Sequence, residues 1–451
     1  MKPAWSQIEA AIRQQLARDA AHPMLVQSFL QHARLVYDGT TGLIAETDIV
    51  AIDTLPDFVT LPAPSAAEAR RALEQSAMIK LNGGLGTSMG LEKAKSLLPV
   101  KNGLSFLDII ARQVLKLREK HGIQMPLLFM NSFSTDRDTL SALAPYKELS
   151  GGLPLSFVQN RVPKLLADSL LPATYGTDPE KAWCPPGHGD LYTALTTSGL
   201  LSKLIAAGIR YAFVSNADNL GAVVDASIPH YMAHNNIPFL MEVADRTEAD
   251  RKGGHLARDA RNARLLLRES AQCPPESAQA FQDVRRYKFF NTNNLWVDLQ
   301  ALHRAIESTG GPPTLSLIIN RKTLDPRDET SAPVLQLETA MGSAISSFEG
   351  AAALRVPKSR FAPVKTTDEL LGLWSDAFVL TGDYHVVLAA ERAAMGPPVV
   401  KLDPKFYKKI DDFKSRFPAG APSLLHCRSL TVRGDHVFRP DHIVSGDCIV
   451  E

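Results

Sequence analysis

Lys80-Leu81-Asn82-Gly83-Gly84-Leu85-Gly86-Thr87-Ser88-Met89-Gly90 follows directly on the apolar run Ala77-Met78-Ile79, and Lys95-Ser96 comes shortly after it. Four glycines in so short a stretch leave main-chain N–H groups uncovered, so the backbone can approach a phosphate or a nucleobase closely. An apolar run passing straight into such a loop reads as a buried strand that ends in a nucleotide-binding turn, with a plain tight turn as the alternative. Lys80 and Lys95, one on either side, favour the anion site. The stretch is not a Walker P-loop, because Leu91-Glu92-Lys93-Ala94 separates Gly90 from Lys95. It is not a dinucleotide fingerprint either, since Gly90 falls one position too late after Gly84-Leu85-Gly86.

The pattern around the loop sets the fold class. Ala77–Leu81, Leu127–Met130, Leu155–Val158, Tyr211–Val214 and Phe239–Val243 are short apolar runs of buried-strand type. Helical spacing fills Phe106–Leu117 and Asp190–Ala206 between them. That alternation predicts an α/β domain with a mainly parallel mixed sheet, whose ligands gather beyond the carboxyl ends of the strands. Asn82 to Gly90, Gln159 and Asn216 to Asn219 all fall at such ends. Before this domain, Ile8, Ile12 and Leu16 mark one helical stripe and Leu25, Phe29, Ala33 and Val36 another, with Pro62 to Pro64 as a linker. After Pro397-Pro398 come a helical run over Phe406–Phe417, the breakers Pro418-Ala419-Gly420, and β-like pieces at Leu424–Val432 and His436–Val450. The expected division is a helical region over 1–75, a catalytic domain over 76–396 and a C-terminal region over 397–451.

Composition narrows the function classes. A chain of 451 residues with 45% hydrophobic and 22% charged side chains is of soluble globular type and long enough for more than one domain. Its 49 basic and 48 acidic side chains leave a formal net charge of +1, so no global field draws it to nucleic acid. Cys184, Cys273, Cys427 and Cys448 lie far apart with no C-x-x-C spacing, which argues against a zinc site and for reduced thiols in a cytoplasmic protein. Neither a secretory leader nor a membrane span is visible.

Further motifs follow in order: Pro185-Pro186-Gly187-His188-Gly189-Asp190, Ser215-Asn216-Ala217-Asp218-Asn219-Leu220-Gly221, Phe290-Asn291-Thr292-Asn293-Asn294-Leu295-Trp296, and Ser359-Arg360-Phe361-Ala362-Pro363-Val364-Lys365-Thr366-Thr367. With the glycine loop, this series resembles the eukaryotic-type UDP-glucose pyrophosphorylases, the UTP:glucose-1-phosphate uridylyltransferases, over residues 75 to 430 or so. The resemblance implies a Rossmann-like nucleotidyltransferase domain of GT-A-like type and a short C-terminal left-handed β-helix. Members usually have more coils there than this sequence offers. It also implies uridylyl transfer from UTP to glucose 1-phosphate, with Mg²⁺ as cofactor and the two small molecules as partners, not a membrane. Rival readings are a related uridylyltransferase with another or broader range of sugar 1-phosphates, a non-catalytic nucleotide-sugar binding protein, and a nicotinamide-dependent dehydrogenase.

The attacking phosphate oxygen is already an anion, so such a reaction needs positioning and charge neutralisation more than a base. The resemblance puts Leu81, Asn82, Gly83, Gly84, Asn216 and Ala217 against the uridine nucleotide and Lys95 on its phosphates. Gln159, whose amide offers both a donor and an acceptor, would read uracil together with Gly187. His188, Asn291, Asn293 and Glu269 would hold the sugar phosphate, and Asp218 the metal. Lys365 would approach the phosphates from the opposite side and form with Lys95 the catalytic pair. Members usually carry Gly-Pro where this sequence has Lys93-Ala94, a change that frees the backbone before Lys95.

Overall fold

The computed structural model describes residues 3–176, 178–439 and 441–451. The chain forms two compact units, each built from separate segments: Met1–Ala77, Phe157–Val214 and Ala226–Pro357 in the first, Met78–Ser156, Ser215–Asp225 and Lys358–Glu451 in the second.

The first unit is organised round the strand Phe289–Asp298. It pairs antiparallel with Tyr211–Val214 through Tyr211↔Asp298, and antiparallel with Phe239–Asp245 through Phe239↔Val297. The strand Phe239–Asp245 carries Ala352–Arg355 in parallel, and His255–Asp259 forms a hairpin with Leu265–Arg268. The sheet is therefore mixed, as expected; within this unit the ladders of Phe289–Asp298 are antiparallel, and Phe239–Asp245 adds a parallel one with Ala352–Arg355. Phe289–Asp298 is a strand whose asparagines hid it among turn-like sequence. The helices Trp5–Arg18 and Pro23–Tyr37 begin with Pro23 at the first helical position of the second and bury the stripes Ile8, Ile12, Leu16 and Leu25, Phe29, Ala33. These pack on Val162, Leu165, Leu317, Leu335 and Leu337 in one apolar cluster.

In the second unit, Met78–Asn82 pairs in parallel with Leu127–Asn131. The helix Phe106–His121 makes the crossover between them. Ser105 caps it, accepting from the Asp108 N–H at 3.1 Å while its own N–H donates to Asp108 at 2.9 Å, and Gly122 ends it in the left-handed region. Towards the C-terminus, Val399–Leu402, Ser423–Val432 and Ile443–Val450 stack in parallel, the pairing that β-helical coils use. Two helical expectations are split. Asp190–Ala206 becomes Leu191–Thr197 and Leu200–Ala206, interrupted where Gly199 takes φ +72°, and Phe406–Phe417 becomes Pro404–Tyr407 and Ile410–Arg416. No described helix is long and apolar enough to cross a membrane.

The expectation that Lys80 helps bind an anion is also corrected. The alternation of the strand turns its side chain inward to 0% exposure. Its ammonium donates to the Ser215 hydroxyl at 2.7 Å and to the Ala222 carbonyl at 2.9 Å. Replacing it removes two charge-assisted bonds and opens a cavity. Lys80→Ala should lower the free energy of unfolding by about 3 kcal/mol in urea denaturation followed by circular dichroism, and a variant as stable as the wild type would show that these bonds contribute nothing net.

Candidate active site

In the second unit, three chemistry-bearing segments meet. The glycine loop leaves the strand at Asn82, whose amide donates to Asn131 and Thr139 at 2.8 Å each, so its side chain serves the fold. Gly86 sits at φ +70°, and a Cβ there would lie 2.8 Å from the Leu91 side chain and 3.3 Å from that of Lys95. Only glycine lets the loop fold back so closely. The Lys95 N–H closes it on the Gly84 carbonyl at 3.1 Å, while the Lys95 ammonium forms an ion pair with Asp218 at 2.6 Å. Side-chain exposures of 15% for Lys95 and 23% for Asp218 leave both reachable.

The Asp218 segment is fixed from two sides. The Ala217 N–H donates to the Leu81 carbonyl at 3.0 Å, and the Val364 N–H to the Asp218 carbonyl at 3.2 Å. Asn219 accepts from the Ala362 N–H at 2.9 Å and donates to the Arg360 carbonyl at 3.1 Å. Lys365, next in the chain after Val364, is exposed, and its ammonium makes no ion pair among the described residues. Lys95, Asp218 and Lys365 are thus brought onto adjoining backbone. Leu81, Gly83, Gly84, Asn216 and Ala217 belong to the same strand ends and loops, with Ala217 buried and Gly84 exposed. Among the described residues, no group of three or more His, Cys, Asp or Glu side chains gathers as a metal cage.

In the first unit, Gly187, His188, Asn291, Asn293 and Glu269 also come together. Gly187 takes φ +81°, and a Cβ on it would lie 2.4 Å from the Thr339 carbonyl oxygen, so the Pro185–Asp190 loop lies flush on the strand Pro333–Thr339. The Thr339 N–H donates to the Pro186 carbonyl at 3.0 Å. His188 Nδ1 accepts from the Met341 N–H at 3.0 Å, which puts the proton of the neutral ring on Nε2. Burial lowers the pKa of this imidazole to about 4, so it is a neutral donor near pH 7. Tyr192 donates to the Met341 carbonyl at 2.7 Å and so fixes the residue that orients the histidine.

A bulge presents the asparagines. Glu242 faces Asn294 while the next residue, Val243, faces Asn291, so Thr292 and Asn293 are the surplus, with Asn293 at φ +58°. The Asn291 amide donates to the Asn293 side-chain Oδ1 at 2.8 Å, and its own Oδ1 accepts from the Asn293 main-chain N–H at 2.9 Å. Glu242, fully buried, accepts from Trp296 at 2.9 Å and from Asn294 at 3.1 Å, and its carbonyl accepts from the Thr292 hydroxyl at 2.6 Å. The Asn291 N–H donates to the Gly254 carbonyl, and a Cβ on Gly254 would lie 2.4 Å from a Glu269 carboxylate oxygen. Glu269 and Asn291 are therefore neighbours across one glycine. A Cβ on Gly342, next to Met341, would lie 3.1 Å from the Asn291 amide nitrogen.

Sequence reasoning missed Asp190, Glu242 and Met341-Gly342. The signal for Glu242 was a lone carboxylate inside the apolar run Phe239–Ala244. Asp190, 4% exposed, accepts at Oδ2 from the Asn160 main-chain N–H at 2.6 Å, and its two oxygens take the Asn160 amide at 2.9 and 3.1 Å. Burial raises its pKa to about 7, against the opposing effect of these bonds.

The profile of the UTP–glucose-1-phosphate uridylyltransferase family matches residues 26–445. The chain is 43% identical over 380 residues to the UTP–glucose-1-phosphate uridylyltransferase of Saccharomyces cerevisiae, covering 84% of this chain and 74% of that protein. It is 40% identical over 406 residues to the potato (Solanum tuberosum) enzyme, covering 88% and 83%. Among solved structures, a variant of UDP-glucose pyrophosphorylase from Leishmania major in complex with UDP-glucose superposes with a TM-score of 0.92 at 42% identity, covering 100% of this chain and 95% of that one.

The Asp190 carboxyl has a testable pH signature. The native state keeps its proton up to about pH 7, whereas the unfolded chain releases it near the ordinary value of 3.8, so the native state binds more protons in between. The contribution to stability is then full at low pH and falls as pH rises towards 7. Unfolding free energies measured across this range should show the wild type losing ground relative to Asp190→Asn as pH rises, and parallel curves would refute the raised pKa.

Proposed function

The chain belongs to the UTP–glucose-1-phosphate uridylyltransferase family, and from that premise we infer that it transfers uridylyl from UTP to glucose 1-phosphate, giving UDP-glucose and pyrophosphate reversibly. A phosphate oxygen of glucose 1-phosphate attacks the α-phosphorus of UTP. The bond from that phosphorus to the oxygen bridging to the β-phosphate breaks, and pyrophosphate leaves with the electron pair. Both reactants are polyanions, so the barrier is chiefly their repulsion and misalignment.

The observation that supports this reading most is the Lys95–Asp218 ion pair at 2.6 Å, held by main-chain bonds beside the segment that carries Lys365. Lys95 and Lys365 are the catalytic cations of the proposal. They neutralise charge that builds on the α-phosphate and the leaving pyrophosphate. Leu81, Asn82, Gly83, Gly84, Asn216 and Ala217 supply the nucleotide platform, and Gln159 with Gly187 reads uracil. His188, held neutral, donates from Nε2 to the sugar phosphate. Asn291, Asn293 and Glu269 take sugar hydroxyls; the reciprocal asparagine pair uses only one N–H of Asn291 and leaves the Asn293 amide both of its own.

Nucleotidyltransferases of this kind use a divalent cation, and we propose Mg²⁺ with Asp218 as its protein ligand. One carboxylate is a sufficient protein share, because Mg²⁺ takes its remaining ligands from substrate phosphates and water. When bound, the ion offsets phosphate charge. Asp218 would exchange Lys95 for the metal, freeing the lysine for phosphate. The four cysteines are all free thiols, in keeping with a cytoplasmic setting.

Pyrophosphate release from UTP and glucose 1-phosphate, followed across a panel of sugar phosphates, tests the reaction. Lys365→Ala should cut kcat by about 10²- to 10³-fold while UTP binding, followed by calorimetry, persists; turnover near the wild-type level would remove Lys365 from the catalytic set. Asp218→Asn should shift the Mg²⁺ concentration for half-maximal rate upwards, and an unaltered Mg²⁺ titration would assign the metal to another ligand.

A further inference from the structure

Gln159 has to present its amide in one orientation to read a base, yet that amide makes no hydrogen bond among the described residues. Its placement must come from the chain around it. Arg161, two residues on, is anchored to Asp19 and to Glu180, and Val162-Pro163 then pairs with Trp183-Cys184. Between Gln159 and these anchors lies Asn160, held at its main-chain N–H and at its amide by the two oxygens of Asp190. The same Asp190 donates its own N–H to the Gly187 carbonyl at 3.2 Å. One residue therefore links the two segments proposed to touch uracil, through its side chain to Asn160 and its main chain to Gly187.

The carboxylate is also costly where it stands. It is 4% exposed and has no ion pair among the described residues. A buried acid without a cation weakens a fold unless a task retains it.

We propose that Asp190 is a positioning residue for base selection, gripping Asn160 so that Gln159 meets the uracil imide while Gly187 is held beside it. The inference rests on the reading of Gln159 and Gly187 as the uracil contacts. A carboxyl group suits the role because its two oxygens take both the main-chain N–H and the side-chain amide of one asparagine, fixing main chain and side chain together. Loosening the grip leaves Gln159 attached to the protein but free to turn, so it would tolerate cytosine, whose amine stands where uracil has a carbonyl.

The test compares kcat/KM for UTP and CTP in wild type, Asp190→Ala, Asp190→Asn, Gln159→Ala and the double variant Asp190→Ala/Gln159→Ala, with the KM for glucose 1-phosphate measured alongside. The wild type should prefer UTP by about tenfold or more. Gln159→Ala and Asp190→Ala should each lower that ratio by about threefold or more, with the glucose 1-phosphate KM within about twofold of the wild type. The double variant should be no less selective than Gln159→Ala alone, since coupled residues lose the same interaction once. Asp190→Asn, which keeps one acceptor for the Asn160 main chain, should restore most of the ratio. If Asp190→Ala fails to fold, Asn160→Ala removes the side-chain half of the grip, leaving the main-chain bond, and should lower the same ratio in the same direction; an unchanged ratio there overturns the positioning role. An unchanged ratio in Asp190→Ala beside a lowered one in Gln159→Ala overturns the positioning role. An unchanged ratio in Gln159→Ala instead overturns the reading of Gln159 and this inference with it.

Discussion

A buried ammonium group has to find acceptors, and Lys80 finds the Ser215 hydroxyl and the Ala222 carbonyl. Much of the second unit's chemistry follows from that requirement. Both acceptors flank the Asn216–Gly221 segment, so satisfying Lys80 pins that segment beside the end of the strand that feeds the glycine loop. Lys95 and Asp218 emerge from these neighbouring connections and reach each other at 2.6 Å. The Lys80 bonds act with the main-chain bonds of Ala217 and Val364 to hold that geometry, and an ion pair between loosely held side chains would be worth little.

The first unit reaches precision by another route. The side chains proposed to bind substrate there are oriented by buried groups: Glu242 holds the asparagine bulge, Met341 orients His188, and Asp190 grips Asn160. Each is a short hydrogen-bonded chain ending in a rigid strand or helix. Sites built this way keep their geometry because the supporting shell is packed and the presented residues need only a few remaining degrees of freedom.

The strand positions were largely legible because buried strands announce themselves as short apolar runs between breakers: Ser76–Asn82, Leu127–Asn131 and Phe239–Asp245 lie where the runs do. Phe289–Asp298 was not legible as a sheet hub, since a bulge fills its middle with asparagines that pass for a turn. Pairing direction is a long-range property that local periodicity does not encode, hence the antiparallel ladders. The site residues were legible only as motifs. Which lysine faces a ligand and which is buried depends on strand phase, and Lys80 and Lys95 could not be told apart by type or by distance from the glycines. The expectation for Lys95 and Asp218 named both residues and missed that each would be the other's partner.

Both units are woven from three stretches far apart along the chain. A ribosome adds about 5–20 residues per second. Met78 therefore waits roughly 15–55 s for Lys358 to be made at that pace. Through that interval the strand Ser76–Asn82 can meet its neighbour Leu127–Asn131, but the Asp218 segment lacks Arg360, Ala362 and Val364, which brace it in the finished fold. Nascent chains in this state expose sticky surface and depend on being shielded. The second unit can therefore close only after its last stretch, Lys358–Glu451, has left the ribosome, which makes completion of the chain a precondition for its final packing.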